Sequence, residues 1–137
     1  MSQVTVTRRL RFNAAHRLHN PALSEEENHA LYGPDNNPSG HGHNYVLEVS
    51  VAGEVDGRTG YVIDLGALRR IVQDEIIDKL DHRHMNVDVD FLRGVNPTSE
   101  HVVVACWRVL EPHVGPGRLT RLRLHETENN YVEYEGK

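Results

Sequence analysis

Three histidines carry the chemistry open to this chain: His16, and the pair His41 and His43 in Gly40-His41-Gly42-His43-Asn44-Tyr45. In an extended segment, side chains two residues apart point the same way, so His41 and His43 can approach one metal ion from a single strand. A His-x-His pair by itself more often means two solvated or hydrogen-bonded imidazoles. His16 shifts that balance, because Phe12, Ala14 and His16 share one face of an alternating stretch, and a neighbouring strand then supplies the third ring. Zinc held by three protein nitrogens keeps a fourth position open for water or substrate, which is the arrangement of a catalytic rather than a structural site. The residues predict a metal-dependent enzyme.

The elements that must position these rings are legible in the spacing of apolar residues. Val4, Val6, Leu10, Phe12, Ala14 and His16 share one parity against Thr5, Thr7, Arg9, Arg11 and Asn13, as in a half-buried strand. From about residue 17 to 42 the alternation breaks. Ser24-Glu25-Glu26-Glu27 caps and opens a short helix there, and Gly33-Pro34-Asp35-Asn36-Asn37-Pro38-Ser39-Gly40 is a dense turn signal. A loop this long between two strands is usually functional. Tyr45, Leu47, Val49 and Val51 form a second strand that ends at Asp56-Gly57.

Asp64 caps a helix to about Leu80, with Leu65, Leu68, Ile71, Val72, Glu75, Ile76 and Leu80 along one stripe. Thr98-Ser99-Glu100 caps another to about Glu111, stopped by Pro112 and Gly115-Pro116-Gly117. Residues 119–127 and 130–134 read as a hairpin. The order ββααββ predicts an α+β domain with a four-stranded antiparallel sheet and both helices on one face. The two open edges of such a sheet predict an oligomer.

The 137 residues are one domain's worth, and a formal net charge of -5 gives no electrostatic footprint for nucleic acid. No apolar run approaches membrane-spanning length, and Met1-Ser2-Gln3-Val4 leads directly into a strand pattern, so a cytoplasmic protein with no membrane partner is expected. Cys106 is the only cysteine, which excludes an internal disulfide and a thiolate-rich zinc site. Its apolar helical surroundings, residues 102–107, predict a buried, inert thiol. Arg8, Arg9 and Arg11 read as a solvated strand face or a site for an anionic ligand. His19, His29, His101 and His113 have no assignable partner, and His84 is either a neighbour of the site or without a role.

Five motifs occur in order: Phe12-Asn13-Ala14-Ala15-His16, Asn36-Asn37-Pro38-Ser39-Gly40-His41-Gly42-His43-Asn44-Tyr45, Leu80-Asp81-His82, Pro97-Thr98-Ser99-Glu100 and His125-Glu126-Thr127-Glu128-Asn129-Asn130. Together they resemble the 6-pyruvoyl-tetrahydropterin synthase family, which includes the 6-carboxytetrahydropterin synthases of queuosine biosynthesis. The segment before His41, with its Asn-Asn-Pro, is more like the pyruvoyl branch. The resemblance implies the tunnelling fold (T-fold), in which three subunits join their sheets into a barrel and two trimers stack into a homohexamer. It implies Zn2+ on His16, His41 and His43. It also implies a catalytic Asp81–His82 pair delivered by a neighbouring subunit, and Glu126 as the carboxylate that anchors the pterin. The implied reaction converts 7,8-dihydroneopterin triphosphate to 6-pyruvoyl-tetrahydropterin with loss of triphosphate.

The residue types suit that chemistry. Zinc coordinated by side-chain hydroxyls stabilises negative charge as carbon-bound protons leave. A histidine oriented by a carboxylate relays protons near neutral pH. One carboxylate accepts adjacent N–H donors of a pterin edge in a fork. Thr98 and Ser99 can add hydrogen bonds to the ring, although helix capping explains them equally well, and Leu80-Asp81-His82 also reads as a plain helix end.

One departure stands out. The pyruvoyl enzymes carry a catalytic cysteine six residues before the first histidine of the pair, and here that position is Asp35. An unperturbed thiol titrates near 8.5 and an aspartic acid near 3.9, so the carboxylate is a proton acceptor weaker by roughly four to five units. Relatives with glutamate at this place cleave the side chain to 6-hydroxymethyl-dihydropterin. Three outcomes therefore stay open: a pyruvoyl or carboxy type synthase, a side-chain-cleaving aldolase, or a catalytically silent pterin-binding protein.

Overall fold

The computed structural model describes residues 2–137, which are built around one sheet in the order β3-β1-β2-β4-β5. β1 (Gln3–His16) and β2 (His41–Glu54) pair antiparallel along their whole length. β4 (Arg118–His125) pairs antiparallel with β2, and β5 (Tyr131–Tyr134) completes the hairpin. The α+β architecture is the one that the alternation predicts, with one strand more. β3 (Arg83–His84) lies parallel to β1 beside Ala14 and Ala15, so the sheet is mixed. Two residues are too short for any alternation to announce.

Both long helices cover one face. α2 (Leu65–Val72), capped by the Asp64 carboxylate on the Gly66 amide, runs through a π-helical turn, Gln73–Ile77, into a last turn, α3 (Asp78–Leu80). Leu68, Val72, Ile76 and Leu80 are fully buried along it, and the wide π turn brings the adjacent Ile77 inside as well. α4 (Ser99–Leu110) adds Val102, Val103, Cys106, Trp107 and Leu110. These side chains meet Leu10, Phe12, Tyr45, Leu47, Val49, Leu122 and Leu124 from the sheet in one contiguous core. Cys106 is buried, and desolvation pushes its thiol up to about 12, so it is inert. No helix among the described residues is long and apolar enough to cross a membrane.

The opposite face is polar. A row of one residue per strand, Arg9, Glu48, Arg123 and Glu133, crosses it. Arg9 Nε lies 3.2 Å from Glu48, and Arg123 Nε donates to Glu133 at 2.7 Å. The solvated-face reading of the arginines fits Arg9 and Arg11, while Arg8 has the other parity and is half-buried.

α1 (Glu25–Tyr32) sits in the long loop between β1 and β2. The Ser24 hydroxyl accepts from the Glu27 amide, and the Glu27 carboxylate accepts from the Ser24 amide.

Removing the buried branches of Leu47 tests the core. Leu47→Ala should cost about 2–5 kcal/mol, whereas the exposed Val87→Ala should stay within about 0.5 kcal/mol, both read from urea unfolding midpoints.

Candidate metal centre

The pairing register builds the site. His16 lies directly opposite His41, and Ala14 opposite His43, so the three rings project from one end of the β1–β2 ladder onto the core face. Their ligand nitrogens all lie within 4.8 Å of one another. The rings stand edge to face, with centroids 4.6, 5.1 and 4.9 Å apart. His16 is 1% exposed, and its Nδ1 lies 2.8 Å from the Pro97 carbonyl, an oxygen that only accepts. That bond fixes the proton on Nδ1 and leaves the Nε2 lone pair turned inward, 3.0 Å from His41 Nε2. His43 Nε2 is buried without any hydrogen-bond partner among the described residues.

A buried nitrogen of this kind costs stability unless something accepts its lone pair. Three convergent imidazoles, one with its tautomer fixed and one without another partner, fit a divalent metal with nitrogen preference. Desolvation lowers the pKa of both His16 and His43, which favours the neutral form a metal requires.

Carboxylates flank the rings on two sides. Glu126, at the end of β4, places Oε1 3.5 Å from His43 Nε2, and its Oε2 accepts the Ser99 hydroxyl from the first turn of α4. A shallow cavity of about 200 Å³ opens here, lined by Ser99, Glu100, Glu126, Asn130, Tyr131 and Val132. On the other side, Asp35 sits in a 3-10 turn, Gly33–Asn36, with Oδ1 3.7 Å from His41 Nε2. Thr98 is spent on the helix: its hydroxyl accepts the His101 amide at 3.2 Å as the N-cap of α4.

Asp81 and His82 stand apart. Asp81 accepts the Asn13 amide at 2.9 Å, which holds its carboxyl below the usual carboxylate range, and its Oδ2 lies 3.1 Å from His82 Nδ1. No hydrogen bond or ion pair joins either residue to the three histidines among the described residues. His82 has φ +61°, a region that non-glycine residues enter at a cost of about 1–3 kcal/mol, and its side chain is 81% exposed.

Several contributors escape a reading of the sequence. Tyr45 lies under His16 and His43, stacked on Phe12 at 4.8 Å between centroids, and burial with the nearby Glu126 raises its phenol pKa. Gly40 has φ +73°, and a Cβ there would come within 2.9 Å of the His16 carbonyl and of His84 Nε2, so only glycine lets β2 start where it does. His84 is therefore a neighbour of the site. His19, expected to lack a partner, accepts from Asn36 Nδ2 at 3.1 Å. His101 and His113 also have partners, the Asn96 carbonyl and Glu75.

With its helices on one face of a sheet whose strand ends gather three histidines, the molecule is a T-fold protein with a metal-competent centre. The model of the family described as 6-pyruvoyl tetrahydropterin synthase matches residues 5–137, and the chain belongs to that family of lyase-type enzymes. The 6-pyruvoyl tetrahydrobiopterin synthase of Homo sapiens is 42% identical over 135 residues, covering 98% of this chain and 93% of the human one. The solved 6-pyruvoyl tetrahydropterin synthase of Caenorhabditis elegans superposes with a TM-score of 0.94 at 38% identity, covering 100% of this chain and 98% of the other. A dihydroneopterin monophosphate aldolase of Pyrococcus furiosus is 39% identical over 98 residues, 69% of this chain and 77% of that protein.

The lowered histidine pKa values set a pH dependence for the metal-free protein. The unfolded chain, with histidines near 6.5, binds protons that folded His16 and His43 do not, so stability is complete above about pH 6.5 and is lost as pH falls below it. Urea midpoints of chelator-treated protein should drop between pH 7 and pH 5, and His16→Gln should flatten that drop.

Proposed function

We propose that residues 1–137 form a single zinc-dependent domain that eliminates triphosphate from 7,8-dihydroneopterin triphosphate to give 6-pyruvoyl-tetrahydropterin. The observation that carries this reading is the buried His43 Nε2, which makes no hydrogen bond among the described residues, inside the three-histidine cluster and beside a Glu126 already oriented by Ser99. His16, His41 and His43 hold the metal, and zinc, when bound, supplies Lewis acidity towards the side-chain hydroxyls. Glu126 accepts the N–H donors of the pterin edge. Ser99 donates to one carboxylate oxygen and so fixes the plane in which the fork opens. The Tyr45 phenol, buried under the rings, keeps them upright by packing.

Protons leave carbon towards Asp35 on one side and towards an Asp81–His82 pair on the other, with Asp81 holding the His82 ring in one orientation. The pair is supplied by a neighbouring subunit of a homohexamer. Three observations support that assembly. His82 is exposed at a strained backbone position away from its own histidine cluster. Among the described residues β1 pairs on its outer side only at Ala14 and Ala15, which leaves a long free edge for another chain. The cavity of about 200 Å³ beside Glu126 is also smaller than the roughly 300–1,000 Å³ of typical ligand pockets, which is consistent with walls contributed by a second chain.

A second reading has its own support. Asp35 is a carboxylate where the pyruvoyl enzymes have a thiol, and the matching aldolase from Pyrococcus furiosus acts, by its name, on a dihydroneopterin monophosphate. Side-chain cleavage would yield 6-hydroxymethyl-dihydropterin.

Mass spectrometry after one incubation of zinc-loaded protein with 7,8-dihydroneopterin triphosphate separates the two. Release of triphosphate with a 6-pyruvoyl product is expected; a 6-hydroxymethyl product assigns the aldolase, and unchanged substrate refutes both. Asp35→Cys should raise triphosphate release on the order of 10²-fold, the scale of a matched proton acceptor. An unchanged rate would remove Asp35 from the proton-transfer position.

A further inference from the structure

Arg9 and Arg11 take no part in the site described above. Both lie on the polar face of the sheet, on the opposite side from the three histidines. Arg9 shares a row with Glu48 and Arg123; Arg121, opposite Ser50, lies in the next row on one side, and Arg11 in the next row on the other. The carboxylates here are shared out. Glu48 has Arg9 Nε at 3.2 Å and Arg123 Nε at 3.7 Å, and Glu133 accepts from Arg123 Nε at 2.7 Å. Four arginines thus meet two glutamates, an excess of two positive charges on one surface of a chain whose formal net charge is -5. Arg118 and Glu54, at the far end of the same face, cancel each other.

Arg11 and Arg121 carry the excess. Arg11 is exposed and pairs with no carboxylate among the described residues. Arg121 reaches Glu133 only at 3.8 Å, through Nη1, on an oxygen already bonded to Arg123, and its Nε is buried with no hydrogen-bond partner among the described residues. Such a donor costs stability unless an acceptor is supplied, and a guanidinium is the side-chain group whose donors best match phosphate oxygens. A further donor stands close by. The Thr7 and Ser50 hydroxyls lie 2.8 Å apart, so one proton joins them and the exposed Thr7 can turn the other outward. We propose that this face is an anion site, centred on Arg121 and Arg11, that takes linear oligophosphates, in the first place the inorganic triphosphate released by the reaction proposed above. The identity of that anion rests on the proposed reaction; the site itself does not. When sheets join edge to edge into a barrel, a face covered by two helices has room only on the outside, so the arginines of neighbouring chains confront one another across the enclosed space. Glu48 opposes the anion and limits its affinity.

Calorimetric titration of the whole protein with inorganic triphosphate, at neutral pH and low salt, tests this assignment. Chelator-treated and zinc-loaded protein should both bind it saturably, because the face lies across the sheet from the histidines. Arg121→Gln and Arg11→Gln should each weaken binding about tenfold, the scale of one lost charge-assisted hydrogen bond. Glu48→Gln should tighten it, and Arg58→Gln, in an exposed loop, should leave it unchanged. Native protein that binds no triphosphate, or binding that both Arg121→Gln and Arg11→Gln leave at the native affinity, would overturn the proposal. Binding that requires zinc would place the anion at the histidines and overturn it equally. Arginine-dependent binding by a protein that releases no triphosphate from 7,8-dihydroneopterin triphosphate would uphold the face and refute the reaction, so the two fail separately.

Discussion

The pairing of β1 with β2 is the constraint on which the site depends. His16 opposite His41, with His43 two residues further along, is a property of register. A slip of one residue would turn every side chain of a strand to the other face, sending the imidazoles outward with Arg9, Arg11 and Asn13 and the polar row into the core. The fourteen-residue ladder makes that slip costly, because Leu10, Phe12, Tyr45, Leu47 and Val49 are all buried on the correct side. The geometry of the histidines is thus secured by hydrophobic burial along the whole strand pair and needs no metal to be approximately in place.

Fine adjustment comes from the loops. Pro97, just before α4, offers its carbonyl to His16 Nδ1, and Ser99, in the first turn of the same helix, holds Glu126. One short segment therefore orients both a ring of the histidine cluster and the carboxylate beside it. Across the site, asparagines do similar work. Asn36 binds Leu18 and His19, Asn28 is fully buried among the carbonyls of Asn20, Leu23 and Ser24, and Asn96 accepts the His19 amide. Carboxamides suit this role because each both donates and accepts, which lets a long loop satisfy its backbone without regular structure.

Much of this was legible in the sequence where a period or a cap reports on geometry. Alternation located β1 and β2, the Asp64 and Thr98 caps placed α2 and α4, and the His-x-His spacing singled out His41 and His43. The contributions that stayed hidden share one property: they act through atoms every residue has, or through distant contacts. The Pro97 carbonyl leaves no mark on residue type. β3 is too short for a period. The φ of His82 and the closeness of Gly40 to His84 arise only when β1, β2 and the segment after α3 are brought side by side. The departure at Asp35 was visible at once as an identity, but its nearness to His41 Nε2 needed coordinates.

Cys106 lies sealed beneath α4, its sulfur desolvated and reluctant to ionise. Maleimides and iodoacetamides would find no target on the native surface. A cysteine introduced at any exposed position would therefore be the sole addressable thiol, and fluorophores, spin labels or crosslinkers could be installed one at a time without first rebuilding the interior.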